Sequence, residues 1–281
     1  MAQKIVITSG KGGVGKTTVT AFLGKALAGI GKRVVLIDLD FGLNNLDVVL
    51  GLENLVVYDI QDVLEGRCRV KQALVQDKEK KNLFILSSGR AQNSPNISGQ
   101  KIKLLLDGIN SLFDYILLDC PAGIDLGFYR AVSCADSAIV VTTPTLSSLR
   151  DADKVISILN SYKLDSVKLI VNRVRGDLIL NEKMMHPNDI KELLKVELLG
   201  ILPEEDTMFL NNGNIPKSTD SFKAYKIIAC NICNSTNRQF DALKKYSGFF
   251  GSIKRSLKKL WVKQKWSYLE LQALLVWIGK K

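Results

Sequence analysis

Histidine is nearly missing from this chain: a single one, His186, stands among 281 residues. That removes every mechanism built on several imidazoles. Prolines number only six, and with 46% apolar and 24% charged residues the composition is that of a folded globular chain. Disorder and collagen-like repeats are thereby excluded. No apolar run approaches the ~18 residues that a spanning helix needs. The stretch Leu271–Ile278 falls well short. Five cysteines, an odd number without a signal peptide, point to a reducing compartment. The length allows one large or two small domains, each with a buried core.

Charge is plentiful but uneven. The net charge is +11, yet ten of the basic residues and only one acid, Glu270, lie after position 243. The preceding body carries 29 basic and 27 acidic groups, or +2. A body that binds nucleic acid would spread its basic groups over the fold, so no nucleic-acid partner is expected. The basic tail needs its own explanation.

Along the body, short apolar runs alternate with amphipathic stretches. Strands are expected at Lys4–Thr8, Arg33–Asp38, Leu83–Leu86, Tyr115–Asp119, Ala138–Thr142, Lys168–Asn172 and Glu197–Ile201. Most are rich in Val, Ile and Leu without strict alternation, as in a parallel sheet covered on both faces. Helical periodicity marks Thr17–Ile30, Lys101–Leu112, Ser147–Leu159 and Phe222–Leu243. Repeated strand-then-helix order predicts an α/β, doubly wound, mostly parallel sheet. The expected division is one domain over 1–246 and a tail over 247–281.

The first strand runs into Gly10-Lys11-Gly12-Gly13-Val14-Gly15-Lys16-Thr17-Thr18, and a helix follows. This fits the phosphate-binding P-loop in its required context. Glycines let consecutive N–H groups turn inward around a phosphate, and the helix N-terminus adds its dipole. Lys16 reaches the β- and γ-phosphates, while the Thr17 hydroxyl suits Mg²⁺. Lys11 sits at the loop's outer edge, where its ammonium need not fold back on its own nucleotide. It can instead reach phosphates held by a second subunit, or remain a solvated surface group.

Strand two ends in Asp38-Leu39-Asp40, and alternation puts both carboxylates on one side, at the carboxyl end of the sheet. Asp119 ends the apolar strand that begins at Tyr115, and Cys120-Pro121-Ala122-Gly123 follows. That is a Walker B pattern. Each acid alone could be a helix cap, but with the P-loop they converge on one Mg²⁺–triphosphate.

With these motifs in place, the chain resembles the deviant Walker A ATPases of the MinD/ParA family. Within them it is similar to the septum-site-determining MinD group. The likeness rests on GKGGVGKT, IDLDFGLNNLD, LLDCPAGID, the run from Leu146 to Asp153 and the run from Gly200 to Asp206, and it extends from residue 1 to about 257. The resemblance implies an ATP-sandwich dimer into which Lys11 reaches from the opposite subunit. It implies that Lys16 and Thr17 hold phosphate and magnesium, and that Asp38 and Asp119 hold the magnesium shell. Asp40 would position the hydrolytic water, and Asn172 would read adenine with Pro203 packed nearby. Arg150, Asp151 and Asp153 match the surface where the family docks MinC and MinE. The chain departs from the family at Asn44, where many members carry arginine, and in its longer tail. Cys230 and Cys233 share their spacing with metal-cluster carriers, but their place in an apolar helical stretch fits two packed thiols better. His186, ahead of Pro187, reads as a loop residue before a helix.

From Phe249 the pattern is helical. At ~100° per residue, Phe249, Phe250, Ile253, Leu257, Leu260 and Trp261 share an arc of about 120°, with Lys254, Arg255, Lys258 and Lys259 opposite. That is the pattern of an interfacial membrane helix, here expected to meet an anionic surface. A helix packed on its own domain and a nucleic-acid arm are the competing readings. The pattern breaks after Trp261, and Trp266–Ile278 is apolar nearly all round, with no assigned role.

The sequence therefore predicts a Mg²⁺-dependent ATPase that dimerises on ATP, binds membrane through its tail and recruits a MinC-like inhibitor and a MinE-like activator. It is expected to be peripheral on the inner membrane face. A Lys/Asn/Ile-rich body starting at Met1 fits a bacterial cytoplasm or, preferably, a plastid stroma. The alternatives are a ParA-like DNA-partitioning ATPase and a nucleotide-dependent metal-cluster scaffold.

Overall fold

The seven expected strands and one short unexpected one, Val75–Gln76, assemble into one eight-stranded sheet in the computed structural model, which describes residues 1–41, 45–89, 97–205 and 215–248. In chain order the strands are β1 (Gln3–Thr8), β2 (Val34–Asp38), β3 (Val75–Gln76), β4 (Leu83–Leu86), β5 (Tyr115–Asp119), β6 (Ser137–Thr142), β7 (Ser166–Val174) and β8 (Glu197–Pro203). Their spatial order is β3-β4-β2-β5-β1-β6-β7-β8. Every pairing is parallel except that of β3, which runs antiparallel to β4 at one edge. All five residues of β2 and of β5 are buried, which is why these strands read as unbroken apolar runs.

The helices are α1 (Lys16–Gly29), α2 (Leu46–Leu50), α3 (Ile60–Leu64), α4 (Val70–Ala73), α5 (Gly99–Ile109), α6 (Leu126–Val132), α7 (Leu146–Leu159), α8 (Gly176–Ile179), α9 (Pro187–Leu194) and α10 (Asp220–Asn234). Strand β1 lies between β5 and β6, so the carboxyl ends of β1, β2 and β5 open together at one edge. That edge is where ligands meet doubly wound sheets.

Contacts gather the chain into two units. The larger comprises Met1–Val174 and Met185–Phe240 and holds the sheet. Among the described residues, the smaller joins Arg175–Met184 to Asp241–Gly248. Within the smaller unit, Arg175 grips Asp177 with two hydrogen bonds, of 3.2 and 2.6 Å.

Several bounds shift by one to three residues, and one differs from the sequence reading by much more. The periodic stretch Phe222–Leu243 forms a shorter helix, because α10 ends at Asn234 and Ser235 turns left-handed at φ 52°. Asn231 is the cause. Its buried amide donates to the carbonyls of Leu199 (3.0 Å) and Arg238 (2.7 Å), and its Oδ1 accepts from the Thr236 hydroxyl and the Arg238 N–H. These bonds fold the following segment back instead of letting the helix continue. His186 stands directly before α9, as expected, and its Nδ1 caps that helix by accepting from Asn188 N–H at 3.1 Å. Both cysteines of the C-x-x-C lie on α10; Cys233 packs against the core, and Tyr115 O–H donates to its sulfur at 3.4 Å. Asn44, Asp206 and the tail residues from Phe249 to Trp261 lie outside the described residues.

Candidate functional site

Strand β1 delivers the chain into the glycine-rich loop, and α1 takes it over at Lys16. Gly15 adopts φ +95°, a left-handed conformation that a side chain disfavours. It has no side chain with which to cap α1, so the first-turn N–H groups remain available to an anion. Lys16 is buried, and its charge bears on both Asp40 and Asp119.

Asp38 and Asp119 face each other in register across β2 and β5, each about 1% exposed. Burial holds both carboxyls above the ordinary carboxylate range. The Asp119 charge lifts Asp38 further; for Asp119, the Lys16 ammonium and hydrogen bonds from Thr17 and Thr20 pull the other way. The Thr20 hydroxyl lies 3.0 Å from Asp119 Oδ1 and 3.1 Å from the Lys16 carbonyl. Two buried carboxylates beside the Thr17 hydroxyl are hard oxygen donors of the kind magnesium takes. A divalent cation would neutralise charges that burial otherwise resists.

Asp38 also shapes the turn after β2, accepting from Asp40 N–H (2.8 Å) and Leu46 N–H (3.4 Å). Asp40 is half-buried, and burial raises its carboxyl while Lys16 opposes the shift. Asp125, which caps α6 by accepting from Gly127 and Phe128 N–H, adds like charge near Asp40.

Lys11 is exposed and turned outward, its Nζ donating to Ser147 Oγ at 3.0 Å. Gly10 approaches α7 so closely that an added Cβ would overlap the Asp151 carbonyl. The outer edge of the loop therefore leans on the first turns of α7. Arg150 and Asp153 are exposed there, whereas Asp151 is half-buried with its carboxylate 3.9 Å from Lys154. The Gly10→Ala variant is expected to lose about 1–3 kcal/mol of stability by overpacking, read as a lower urea midpoint at unchanged slope. An unchanged midpoint would mean that α7 yields freely.

Asn172 and Pro203 line one cavity of about 180 Å³ with Gly15, Thr18, Arg173, Glu204, Glu205 and Tyr225. The Asn172 amide donates to the Val14 carbonyl (2.8 Å), and its Oδ1 accepts from Arg173 N–H (2.9 Å). A register irregularity between Val171 and Val174, with Arg173 at φ 57°, re-aims these side chains. The P-loop, the carboxylates of Asp38 and Asp119 and the Asn172 cavity thus meet at one end of the sheet. Thr20, Asp125, Ser147, Arg173 and Tyr225 were not anticipated. Thr20 alone carried a signal, lying one turn after Lys16 on α1.

Residues 5–214 match the family model for the CobQ/CobB/MinD/ParA nucleotide-binding domain. A putative septum site-determining protein MinD of Oltmannsiellopsis viridis is 50% identical over 75% of this chain and 67% of its own. MinD in the MinC:MinD cell division complex of Aquifex aeolicus is similar at 44% identity and TM-score 0.77, covering 84% of this chain and 97% of that one. The Pyrococcus horikoshii septum site-determining MinD complexed with Mg-ADP is 30% identical, with TM-score 0.72 over 83% and 96% of the two chains. With its loop, Walker B acid and sheet order all in agreement, the chain belongs to the MinD family of septum-site-determining proteins, among the MinD/ParA P-loop ATPases.

Proposed function

We propose that this protein is a Mg²⁺-dependent ATPase switch that dimerises on ATP, binds an anionic membrane surface through its tail and recruits a division inhibitor. One observation supports it most: Lys16, Thr17, Asp38, Asp40 and Asp119 converge on a loop whose second lysine, Lys11, is free to turn outward from it. Lys16 and the loop N–H groups hold the phosphates, and the Asn172 cavity takes the base. Thr17, Asp38 and Asp119 would hold magnesium, which when bound offsets charge on the phosphate oxygens. Asp40 orients a water for in-line attack.

Lys11 must exchange Ser147 for phosphates held by a second subunit. Leu126 and Leu146, 79% and 80% exposed, start the two helices beside the loop and offer apolar surface for that closure. A MinC-like inhibitor and a MinE-like activator would dock over Arg150 and Asp153, with Asp151 linking that face to Gly10. The protein would be peripheral on the inner membrane face, in a bacterial cytoplasm or a plastid stroma. Among the described residues no helix is long and apolar enough to cross a membrane.

Asp40→Ala tests the switch. Hydrolysis is expected to fall ~10²–10⁴-fold, because a water-positioning base acts in the transition state, while ATP stays bound. Size-exclusion chromatography in ATP should then find a trapped dimer. A monomer with normal ATP affinity would assign Asp40 to the interface instead.

A further inference from the structure

A second cavity, of about 330 Å³, opens between α1 and α10. Its floor is apolar: Phe22, Ala26 and Ile30 from the α1 side, Phe222 and Tyr225 from α10, and Ile215. Phe22 and Tyr225 are almost fully buried and their rings lie 5.8 Å apart, so the floor is rigid. Lys25, Lys80, Lys217 and Lys226 complete the lining, and no carboxylate is among the described residues that do so. Lys25 is spoken for by Asp77 at 3.5 Å. Lys217 and Lys226 are exposed and Lys80 is half-buried. The volume is that of a small-ligand site.

An apolar floor under a one-sign rim selects a ligand with the opposite arrangement. We propose that this groove binds a small anionic amphiphile, an acyl or aryl body with one carboxylate or phosphate head. The body would lie on Phe22, Ala26, Ile30 and Phe222, and the head would sit among Lys80, Lys217 and Lys226. The chain's own tail is a poor occupant, since its many lysines would meet a rim of the same sign. Tyr225 also lines the Asn172 cavity, so the groove backs onto the nucleotide site without being part of it.

The test is a decanoate titration of the full-length protein carrying ¹³C-labelled isoleucine and alanine methyl groups, followed by NMR. Saturable shifts are expected at Ile30, Ile215 and Ala26. Decanol, which lacks the charge, should bind about tenfold more weakly, and so should decanoate to the Lys217→Glu/Lys226→Glu variant. Ala26→Trp, which fills the floor, should abolish the shifts at Ile30 and Ile215. Shifts confined to residues outside the groove, or equal binding of decanol, would overturn the proposal. So would complete displacement of decanoate by ATP, which would put it in the base cavity. Displacement by an acidic amphipathic peptide that itself binds at least a hundredfold more tightly than decanoate would give the groove to a protein partner instead.

Discussion

Lys16→Ala is expected to lower nucleotide affinity about 30- to 150-fold, the loss of a charge-assisted phosphate contact worth ~2–3 kcal/mol. Lys11→Ala, five residues away in the same loop, should leave that affinity within about threefold of the parent, as for an exposed surface lysine. The difference follows from where the two ammonium groups stand. Lys16 is buried at the start of α1, within electrostatic reach of Asp40 and Asp119. Lys11 is exposed and bonded to Ser147 on the far side of the loop. In the proposed dimer, a group so placed would contribute little to its own nucleotide and a great deal to one held opposite. Turnover in Lys11→Ala should therefore fall ~10³-fold or more, as when a cation supplied in trans is removed. Its sedimentation coefficient in ATP should remain that of a monomer. A fluorescent ATP analogue and analytical ultracentrifugation separate the two properties. Equal loss of ATP affinity in both variants would remove the case for an in-trans role.

The parts of this protein that could be read from sequence are those where one residue type meets one physical demand. The buried strands announced themselves because both sheet faces are covered, and Leu83–Leu86 and Tyr115–Asp119 have the bounds expected of them. The P-loop was legible because its backbone turns left-handed at Gly13 and Gly15, where a side chain is disfavoured, and because Lys16 and Thr17 follow directly. Two kinds of feature were not. Strand β3 and helices α2, α3 and α4 are too short for a period to register, and α3 is held by a capping box between Asp59 and Asp62 rather than by an apolar stripe. Long-range polar contacts were the other kind. Nothing in the spacing of Lys11 and Ser147, 136 residues apart, foretells their bond. Nor does the helical period of Phe222–Leu243 disclose that Asn231 will bind Leu199 and stop α10 early. Asn172 was anticipated as a base reader, but its amide also holds the Val14 carbonyl, which makes it a strut of the loop itself.

Removing the chain from Gly248 onward is expected to abolish sedimentation with anionic liposomes while leaving ATP hydrolysis intact. Read as a helix, the tail's sequence would set six apolar side chains, Phe249, Phe250, Ile253, Leu257, Leu260 and Trp261, against a basic face. Partial insertion of that arc, with roughly 1 kcal/mol for each basic residue near an anionic surface, would give one helix modest and reversible affinity. In the proposed ATP-bound dimer the second helix would bind as an intramolecular event, and avidity would rise ~10²–10⁴-fold without any new contact. On the proposed mechanism, hydrolysis would separate the pair and return each helix to its weak state. Full-length protein should therefore pellet in ATP and stay in the supernatant in ADP. Phe250→Glu should behave much like the truncation, because it sets a carboxylate in the inserting arc. Raising the salt should weaken binding by screening the basic face. The stretch Leu271–Ile278 adds apolar surface outside this accounting, and it defines the opposing outcome. If full-length protein pellets equally in ATP and ADP, that extra surface holds even a monomer on lipid, and the tail is a constitutive anchor rather than a switch.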